Sequence, residues 1–151
     1  MLRDLSFQLH ILTARLDRAA DRILLVEQSL SYSRFLTLFA IGELGAGTQR
    51  GLAQHLGVSE ASVSRMINAL VEAGLVVVEP HRIPGNRNQL GLTRAGWKIV
   101  RRCRTLLENR LAEVVSMSGV PYARYVTQTR RLVAALDGGN RKKSRTRRES
   151  E

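Results

Sequence analysis

Apolar residues recur at helical spacing over most of the chain, with short breaks rich in glycine, serine and proline. From Leu5 to Leu30 they follow in steps of three and four, which predicts one long amphipathic helix with a continuous apolar stripe. A second helix is predicted from about Tyr32 to Leu44, and the sequence GAG that follows ends it. Because a small domain cannot cover so long an apolar stripe alone, we expect a partner helix or a second subunit to pack against the first helix.

The next two segments predict a helix-turn-helix. Thr48 can cap a short helix, and Ser59 can cap a longer one that starts at Glu60. The two helices meet across a turn that contains Gly57, which is the arrangement of a helix-turn-helix. We expect Gly74 to end the second helix in the left-handed conformation that glycine tolerates.

A β-hairpin is predicted directly after this unit. The stretches LVVVE and NQLGLT have the composition of two short strands, and PHRIPGN joins them. Pro84 and Gly85 suit the central positions of a type II turn. His81, Arg82 and Arg87 place positive charge around this turn, where it can lie along a sugar-phosphate backbone or enter a minor groove. An ordinary solvated hairpin is the alternative interpretation.

Two more helices are predicted after the hairpin. One begins at Thr93, and the other runs from Tyr122 to Leu136 after a break at Gly119 and Pro121. The apolar spacing of the first predicts an inner face of Trp97, Val100, Cys103, Leu107, Leu111 and Val114. Residues 138–151, GGNRKKSRTRRESE, contain six basic and two acidic residues and no apolar side chain. Since they cannot bury enough surface to fold, we predict a disordered basic tail.

The predicted fold is therefore mainly α with a small β-hairpin wing. A winged helix-turn-helix lobe at residues 31–94 is flanked by N- and C-terminal dimerisation helices at residues 1–30 and 95–137.

The helix that starts at Glu60 has two faces of different chemistry, because successive residues turn by about 100° around a helix. One face gathers Val63, Met66, Ile67, Leu70 and Ala73, and the opposite face gathers Ala61, Ser64, Arg65, Asn68 and Glu72. Short side chains let a helix backbone lie deep in a DNA major groove, and Arg65 and Asn68 carry forked donors that suit guanine and adenine edges. The helix N-terminal amides, with Ser62 or Ser64, can meet phosphate oxygens.

Composition narrows the class of partner. The formal net charge of +11 favours an anionic partner, and nucleic acid above all. A single cysteine excludes an intrachain disulfide framework and fits a reducing compartment. The sequence shows neither a secretory leader nor a run of about 18 apolar residues, so we expect a cytoplasmic protein with no membrane partner.

The stretch QRGLAQHLGVSEASVSRMINALVEAGLV, with the hairpin and the LTRAG that follow, resembles the winged-helix core of the MarR family of bacterial transcription regulators. The resemblance spans roughly Tyr32 to Val100, and the outer helices agree with the family in order and length. It implies an obligate homodimer whose two lobes read a pseudo-palindromic operator in double-stranded DNA. It also implies a small anionic phenolic or lipophilic effector, bound between the dimerisation region and the DNA lobe, that releases a repressor. No cofactor is predicted.

The predicted DNA contacts lie on the helix that starts at Glu60 and in the segments on either side of it. They are Thr48, Gln49, Ser59, Ala61, Ser62, Ser64, Arg65, Asn68, Arg82, Asn86 and Arg87. By position, the resemblance places Arg87 near the wing arginine of the family. The wing departs from the usual Asp-x-Arg pattern, because PGNRNQ has Asn86 before Arg87 and no aspartate to brace the arginines.

Other classes of function are weaker alternatives. An enzyme is disfavoured because His10, His55 and His81 lie in separate segments without metal-ligand spacing, so we predict no catalytic and no metal site. Cys103 is expected in the core, although the neighbouring arginines could make it a thiol switch. A protein-interaction module or a non-specific nucleic-acid-binding module of winged-helix shape stays open. An aromatic content of 5% disfavours a stacking platform for RNA.

Overall fold

The computed structural model of the protein describes residues 4–44, 47–80 and 88–148. Within these residues the chain forms six helices and one two-stranded antiparallel sheet, as predicted. In chain order the elements are α1 (Leu5–Gln28), α2 (Tyr32–Leu44), α3 (Gln49–Leu56), α4 (Glu60–Glu72), β1 (Val76–Glu79), β2 (Gln89–Leu92), α5 (Arg94–Met117) and α6 (Tyr122–Arg148). In the described ranges, no helix combines the length and the apolarity needed to cross a bilayer.

Local hydrogen bonds define the two helices of the helix-turn-helix. Thr48 caps α3 and Ser59 caps α4, and each side-chain oxygen accepts the N–H three residues further on at 3.1 Å. Gly57, after α3, has a φ of 68°, and Gly74, after α4, has a φ of 70°. Both glycines occupy the left-handed region, which ends each helix sharply. The predictions that Thr48 and Ser59 cap these helices and that Gly74 ends α4 are confirmed, and Gly57 lies in the turn as predicted.

The hairpin pairs in a simple antiparallel register, from Val76 opposite Leu92 to Glu79 opposite Gln89. The N–H of Leu90 also donates to the carbonyl of Gly47 at 3.0 Å, so the segment before α3 pairs with β2 as an isolated bridge. The predicted turn between the strands, with its four residues from Pro84 to Arg87, lies outside the described residues.

Thr93 joins the segment that follows α4 to the start of α5. Its N–H donates to the carbonyl of Leu75 at 3.1 Å, and its hydroxyl donates to the carbonyl of Gly74 at 2.7 Å. The same hydroxyl accepts the N–H of Gly96 at 3.0 Å, which makes Thr93 the N-cap of α5. A Cβ at Gly96 would overlap the Leu75 carbonyl oxygen, so this close approach requires glycine.

The buried core lies among the end of α1, α2, α3, α4, the sheet and the first half of α5. Its fully buried large side chains are Leu24, Leu38, Ile41, Leu52, Val63, Ile67, Leu70, Val76 and Leu90.

Cys103 is also fully buried, and desolvation raises the pKa of its thiol. Arg104, next to it, faces Glu43 at 3.9 Å and lies over the ring of Phe39, 5.9 Å from the centroid. The structure therefore gives the predicted core cysteine.

The chain divides into two compact units, Met1–Leu107 and Glu108–Glu151. The first contains α1 to α4, the sheet and the first part of α5. In the second, the hydroxyl of Tyr122 donates to the carboxylate of Glu108 at 3.1 Å, and this bond raises the pKa of Tyr122. Arg110 and Glu113 form a surface ion pair at 3.3 Å in the same unit.

The C-terminal segment differs from the sequence prediction. We expected disorder from Gly138, but α6 continues through Arg148. Arginine and lysine are good helix formers, and extending an existing helix costs far less than starting one. The absence of apolar residues therefore did not end the helix, and the prediction of a disordered tail was wrong for the residues that α6 includes.

Only some residues of the inner faces predicted for α4 and α5 are buried. In α5, Val100 and Cys103 are buried, but Trp97 is 41% exposed and Val114 is 54% exposed, while Val115 is buried instead. In α4, Ala73 is exposed because the helix ends there. A fixed angular step places a residue on a face but does not say how far the covering elements extend along the helix.

Candidate nucleic-acid interface

One face of α4 packs against the core, and the opposite face, which we call the open face, is exposed to solvent. Val63, Ile67 and Leu70 are each no more than 1% exposed, and they fix which side of the helix points inward. The residues on the opposite side are Ala61, Ser64, Arg65, Asn68 and Glu72, all exposed except the half-buried Ser64. The structure thus gives the two faces that the sequence predicted. The open face presents small side chains with one arginine and one asparagine.

The N-terminus of α4 has its own local chemistry. Besides capping the helix, the Ser59 hydroxyl lies 2.9 Å from the hydroxyl of Ser62, so the two side chains hold each other. Free amides in a first helical turn attract anions. Glu60 is exposed in this turn and brings a negative charge that partly opposes such attraction.

The first turn of α3 supplies a second set of polar groups. The Thr48 hydroxyl is occupied by its capping bond, and Gln49 is exposed at the first helical position. Arg50, next to Gln49, is exposed as well. Sequence reasoning did not select Arg50, although a cation beside a predicted contact in the helix-turn-helix was a usable signal.

Three of the predicted contact residues, Arg82, Asn86 and Arg87, lie outside the described residues. The strands that carry this turn are described. Val76 is buried, whereas Val77 and Val78 are 39% and 41% exposed. Of the predicted set, the structure therefore describes the residues from Thr48 to Asn68, and the wing contacts stay predictions.

A polar cleft between α1 and the start of α2 was not predicted as a site. It has a volume of about 720 Å³ and is lined by Arg15, Asp17, Arg18, Asp21, Arg22, Tyr32 and Ser33. The N–H of Tyr32 donates to the carboxylate of Asp21 at 2.8 Å. Burial, and next the negative charge of Asp17, raise the pKa of the Tyr32 phenol. We name this feature the anion cleft after its three arginines, which line it together with the two aspartates.

Comparison with known proteins gives the same architecture. Residues 28–82 match the sequence model described as the MarR family. The crystal structure of wild-type MarR from E. coli in its apo form superposes with a TM-score of 0.74 and 22% identity, covering 90% of this chain and 99% of that one. RV1404 from Mycobacterium tuberculosis gives 0.68 and 25%, covering 93% and 95%.

A third structure, the complex of S. aureus MepR with DNA, has a TM-score of 0.68 and 18% identity, and the match covers 89% of this chain and 95% of that one. No curated protein matches the sequence significantly. The three solved structures are each covered almost completely, so the shared fold extends from α1 into α6 and beyond the residues that match the family model.

Proposed function

We propose that this chain, whose residues 28–82 match the MarR family model and whose fold is that of the solved MarR structure, is a homodimeric transcription regulator that binds double-stranded DNA in a sequence-specific manner. We further propose that it represses transcription and that a small anionic effector releases it from DNA. The observation that carries the proposal is α4, a capped helix with one face seated in the core and an open face suited to a major groove.

The chemistry of the open face supports base reading. Ala61 is small enough to let the helix backbone approach the base edges. Arg65 and Asn68, both exposed, are three residues apart and so lie on adjacent turns of one face. An arginine can bind guanine and an asparagine can bind adenine through two hydrogen bonds each. The related MepR has been solved bound to DNA, which supports the same partner here.

The net charge supports the affinity for DNA. A formal charge of +11 favours association with a polyanion through release of counterions. Arg50 and Arg65, both exposed, carry part of that charge at the proposed interface. This contribution is independent of sequence and falls as salt increases, so binding measurements must be made at one salt concentration.

Exposed apolar residues support a homodimer. On α1, Leu5, Leu9 and Leu12 are 59%, 44% and 38% exposed, and they share one helical face. On α6, the large apolar side chains Leu132, Val133 and Leu136 are between 53% and 72% exposed. Patches of this kind are rare on monomers and favour a symmetric second copy.

The anion cleft is the proposed effector site. Arg15, Arg18 and Arg22 offer guanidinium groups that suit a carboxylate, and the half-buried Tyr32 offers an aromatic ring for an aromatic ligand. Salicylate, an aromatic carboxylate, is the probe. We expect it to weaken DNA binding by the native protein and to have no such effect on a double variant, Arg18→Gln with Arg22→Gln. The same change at the exposed Arg34, outside the cleft lining, is the control.

A gel-shift assay with three probes tests the function. The probes are the DNA upstream of the protein's own gene, a random duplex and a random single strand, all at one salt concentration. We expect binding to the upstream DNA to be roughly a thousandfold tighter than to the random duplex. Equal binding to all three would instead favour the non-specific nucleic-acid-binding module. Binding to none of them would favour a protein-interaction module that has kept the winged-helix shape.

A further inference from the structure

Thr37 of α2 carries a polar group in the middle of the core. Its side chain is fully buried, and it is the one buried polar residue among those the structure describes. Its hydroxyl oxygen lies 2.9 Å from the carbonyl oxygen of Ser33, one turn earlier in the same helix, and 2.6 Å from the sulfur of Met66. Met66 belongs to α4, so the Thr37 hydroxyl connects α2 with α4.

The two contacts of the hydroxyl differ in strength. A threonine hydroxyl has one proton to donate, and a carbonyl oxygen is a much stronger acceptor than a thioether sulfur. The Ser33 carbonyl therefore fixes the direction of the hydroxyl within α2. The Met66 sulfur then rests against a polar atom whose position is already set.

Most other contacts of α4 carry no directional information. Val63, Ile67 and Leu70 seat the helix through apolar burial, which depends on area and tolerates small rotations of the helix about its axis. Within the described ranges, the contact of the Thr37 hydroxyl with the Met66 sulfur is the one polar side-chain contact between α4 and another element. Met66 is adjacent to Arg65 in sequence, so a rotation of α4 that moved Met66 would also move the proposed base contacts.

We propose that Thr37 is a positioning residue for DNA recognition: through Met66 it fixes the rotation of α4 and hence the places where Arg65 and Asn68 meet the bases. The proposal rests on the proposed function and assigns a role in specificity to a residue that touches no DNA. Loss of the hydroxyl should therefore reduce the preference for the correct sequence more than it reduces binding to DNA in general.

The test compares four single variants and one double variant by the ratio of affinities for a selected duplex and a random duplex. Thr37→Val removes the hydroxyl and keeps a branched side chain, Thr37→Ser keeps the hydroxyl, and Met66→Leu removes the sulfur at nearly constant volume. The matched control is Thr127→Val in α6. Thr127 also donates to a carbonyl one turn earlier, at 2.9 Å from Ala123, but it is exposed and far along the chain from α4.

We expect Thr37→Val to lower the ratio roughly fivefold or more, which is the scale of one net hydrogen bond. Thr37→Ser and Thr127→Val should stay within about twofold of the native protein on the same scale. Met66→Leu should lower the ratio too, and the double variant Thr37→Val with Met66→Leu should lose little more than the larger single loss, because both changes break one contact.

An unchanged ratio for Thr37→Val overturns the proposal, and so does an equal loss in Thr37→Ser, which would point to packing of the methyl group. If Thr37→Val does not fold, Met66→Leu becomes the test of the proposal. A ratio of affinities in Met66→Leu equal to that of the native protein then overturns the proposal. The native protein is the internal standard. If it shows no preference between the two duplexes, the proposed function itself fails and this inference falls with it, whereas a native preference that survives in Thr37→Val contradicts the inference alone.

Discussion

At the scale of single residues, the proposed DNA recognition depends on a few exposed side chains whose backbone is held from the other side. Arg65 and Asn68 are exposed, while Val63 and Ile67, their near neighbours in sequence, are buried. The buried side chains determine the direction of the exposed ones, so changes on the open face should affect binding and leave folding almost unchanged.

Asn68→Ala should reduce affinity for the operator roughly 30-fold or more. A good bidentate base contact discriminates by about 1 to 3 kcal/mol, and a symmetric dimer makes each contact twice, so a total of about 2 kcal/mol is a conservative expectation. Affinity for random duplex should barely change. Titration of both duplexes by fluorescence anisotropy measures the two effects, and thermal unfolding should stay at the native temperature because the side chain is exposed.

Glu72→Ala is the matched control for Asn68→Ala, since Glu72 is exposed on the same face at the far end of α4. It should leave the preference for operator over random DNA unchanged. Equal losses of affinity for both duplexes in Asn68→Ala and Arg65→Ala would show that α4 binds the sugar-phosphate backbone of DNA and not the bases. Sequence would then be read elsewhere, and the wing arginines Arg82 and Arg87 would be the next residues to test.

Cys103 should react slowly with thiol reagents in the native protein. It is fully buried, and burial raises the pKa of its thiol, so the reactive thiolate forms only at a higher pH than in a free cysteine. Labelling with an aromatic disulfide, followed by absorbance, should be much slower in buffer than in urea, and the native rate should begin to rise at a higher pH. Labelling as fast in buffer as in urea would reopen the thiol switch.

At the scale of elements, short-range signals determine most helix boundaries. Thr48, Ser59 and Thr93 each cap the helix that follows, and Gly57 and Gly74 each end the helix before. These signals act within a few residues, which is why the sequence predicted the bounds of α3 and α4 closely. The junction at Thr93 adds a contact between elements, because it ties the start of α5 to the end of α4.

Gly96→Ala should destabilise this junction by about 1 to 3 kcal/mol, the usual cost of forcing atoms into a packed site. The added methyl group would overlap the carbonyl oxygen of Leu75, which is backbone and cannot move aside cheaply. Urea unfolding followed by circular dichroism measures the change. Gly138→Ala, in α6 with nothing near the added carbon, should be neutral or slightly stabilising. A similar loss in both variants would contradict the proposed overlap.

What the sequence did not predict depends on contacts between distant segments or on helix length. The anion cleft forms where α1 approaches the first turn of α2, and Thr37 meets Met66 across 29 positions. Periodicity within one helix carries no information on such pairs. The end of α6 was also missed, because the compositional rule for disorder does not consider that a preceding helix can extend into a basic segment.

At the scale of the whole molecule, the proposed recognition of a symmetric DNA site requires two copies of the chain. The chain leaves Leu5, Leu9 and Leu12 of α1 exposed, and it does the same with the apolar residues near the middle of α6. A symmetric partner that covers these surfaces also supplies a second recognition helix. Dimerisation and recognition of a two-fold symmetric site are then consequences of one arrangement.

Leu12→Asp should convert the dimer to a monomer at micromolar concentration, because a buried and unpaired carboxylate at the interface is costly. Leu25→Asp is the matched control: Leu25 is 48% exposed on the same helix but on the face opposite Leu5, Leu9 and Leu12. It should remain dimeric. Sedimentation equilibrium measures both, and a native protein that is already a stable monomer at micromolar concentration would refute the dimer.

Sequencing of the duplexes that the native protein selects from a random pool is the most direct measurement of sequence-specific DNA recognition by a dimer. A dimer with one recognition helix in each subunit should enrich a pseudo-palindrome whose half-sites are centred one helical turn, about 10 to 10.5 base pairs, or a multiple of it apart. Asn68→Ala should relax the selection at one position in each half-site, and at the same position in both. A pool that stays random after repeated selection at moderate salt, although the protein retains DNA, would contradict sequence-specific recognition by this fold.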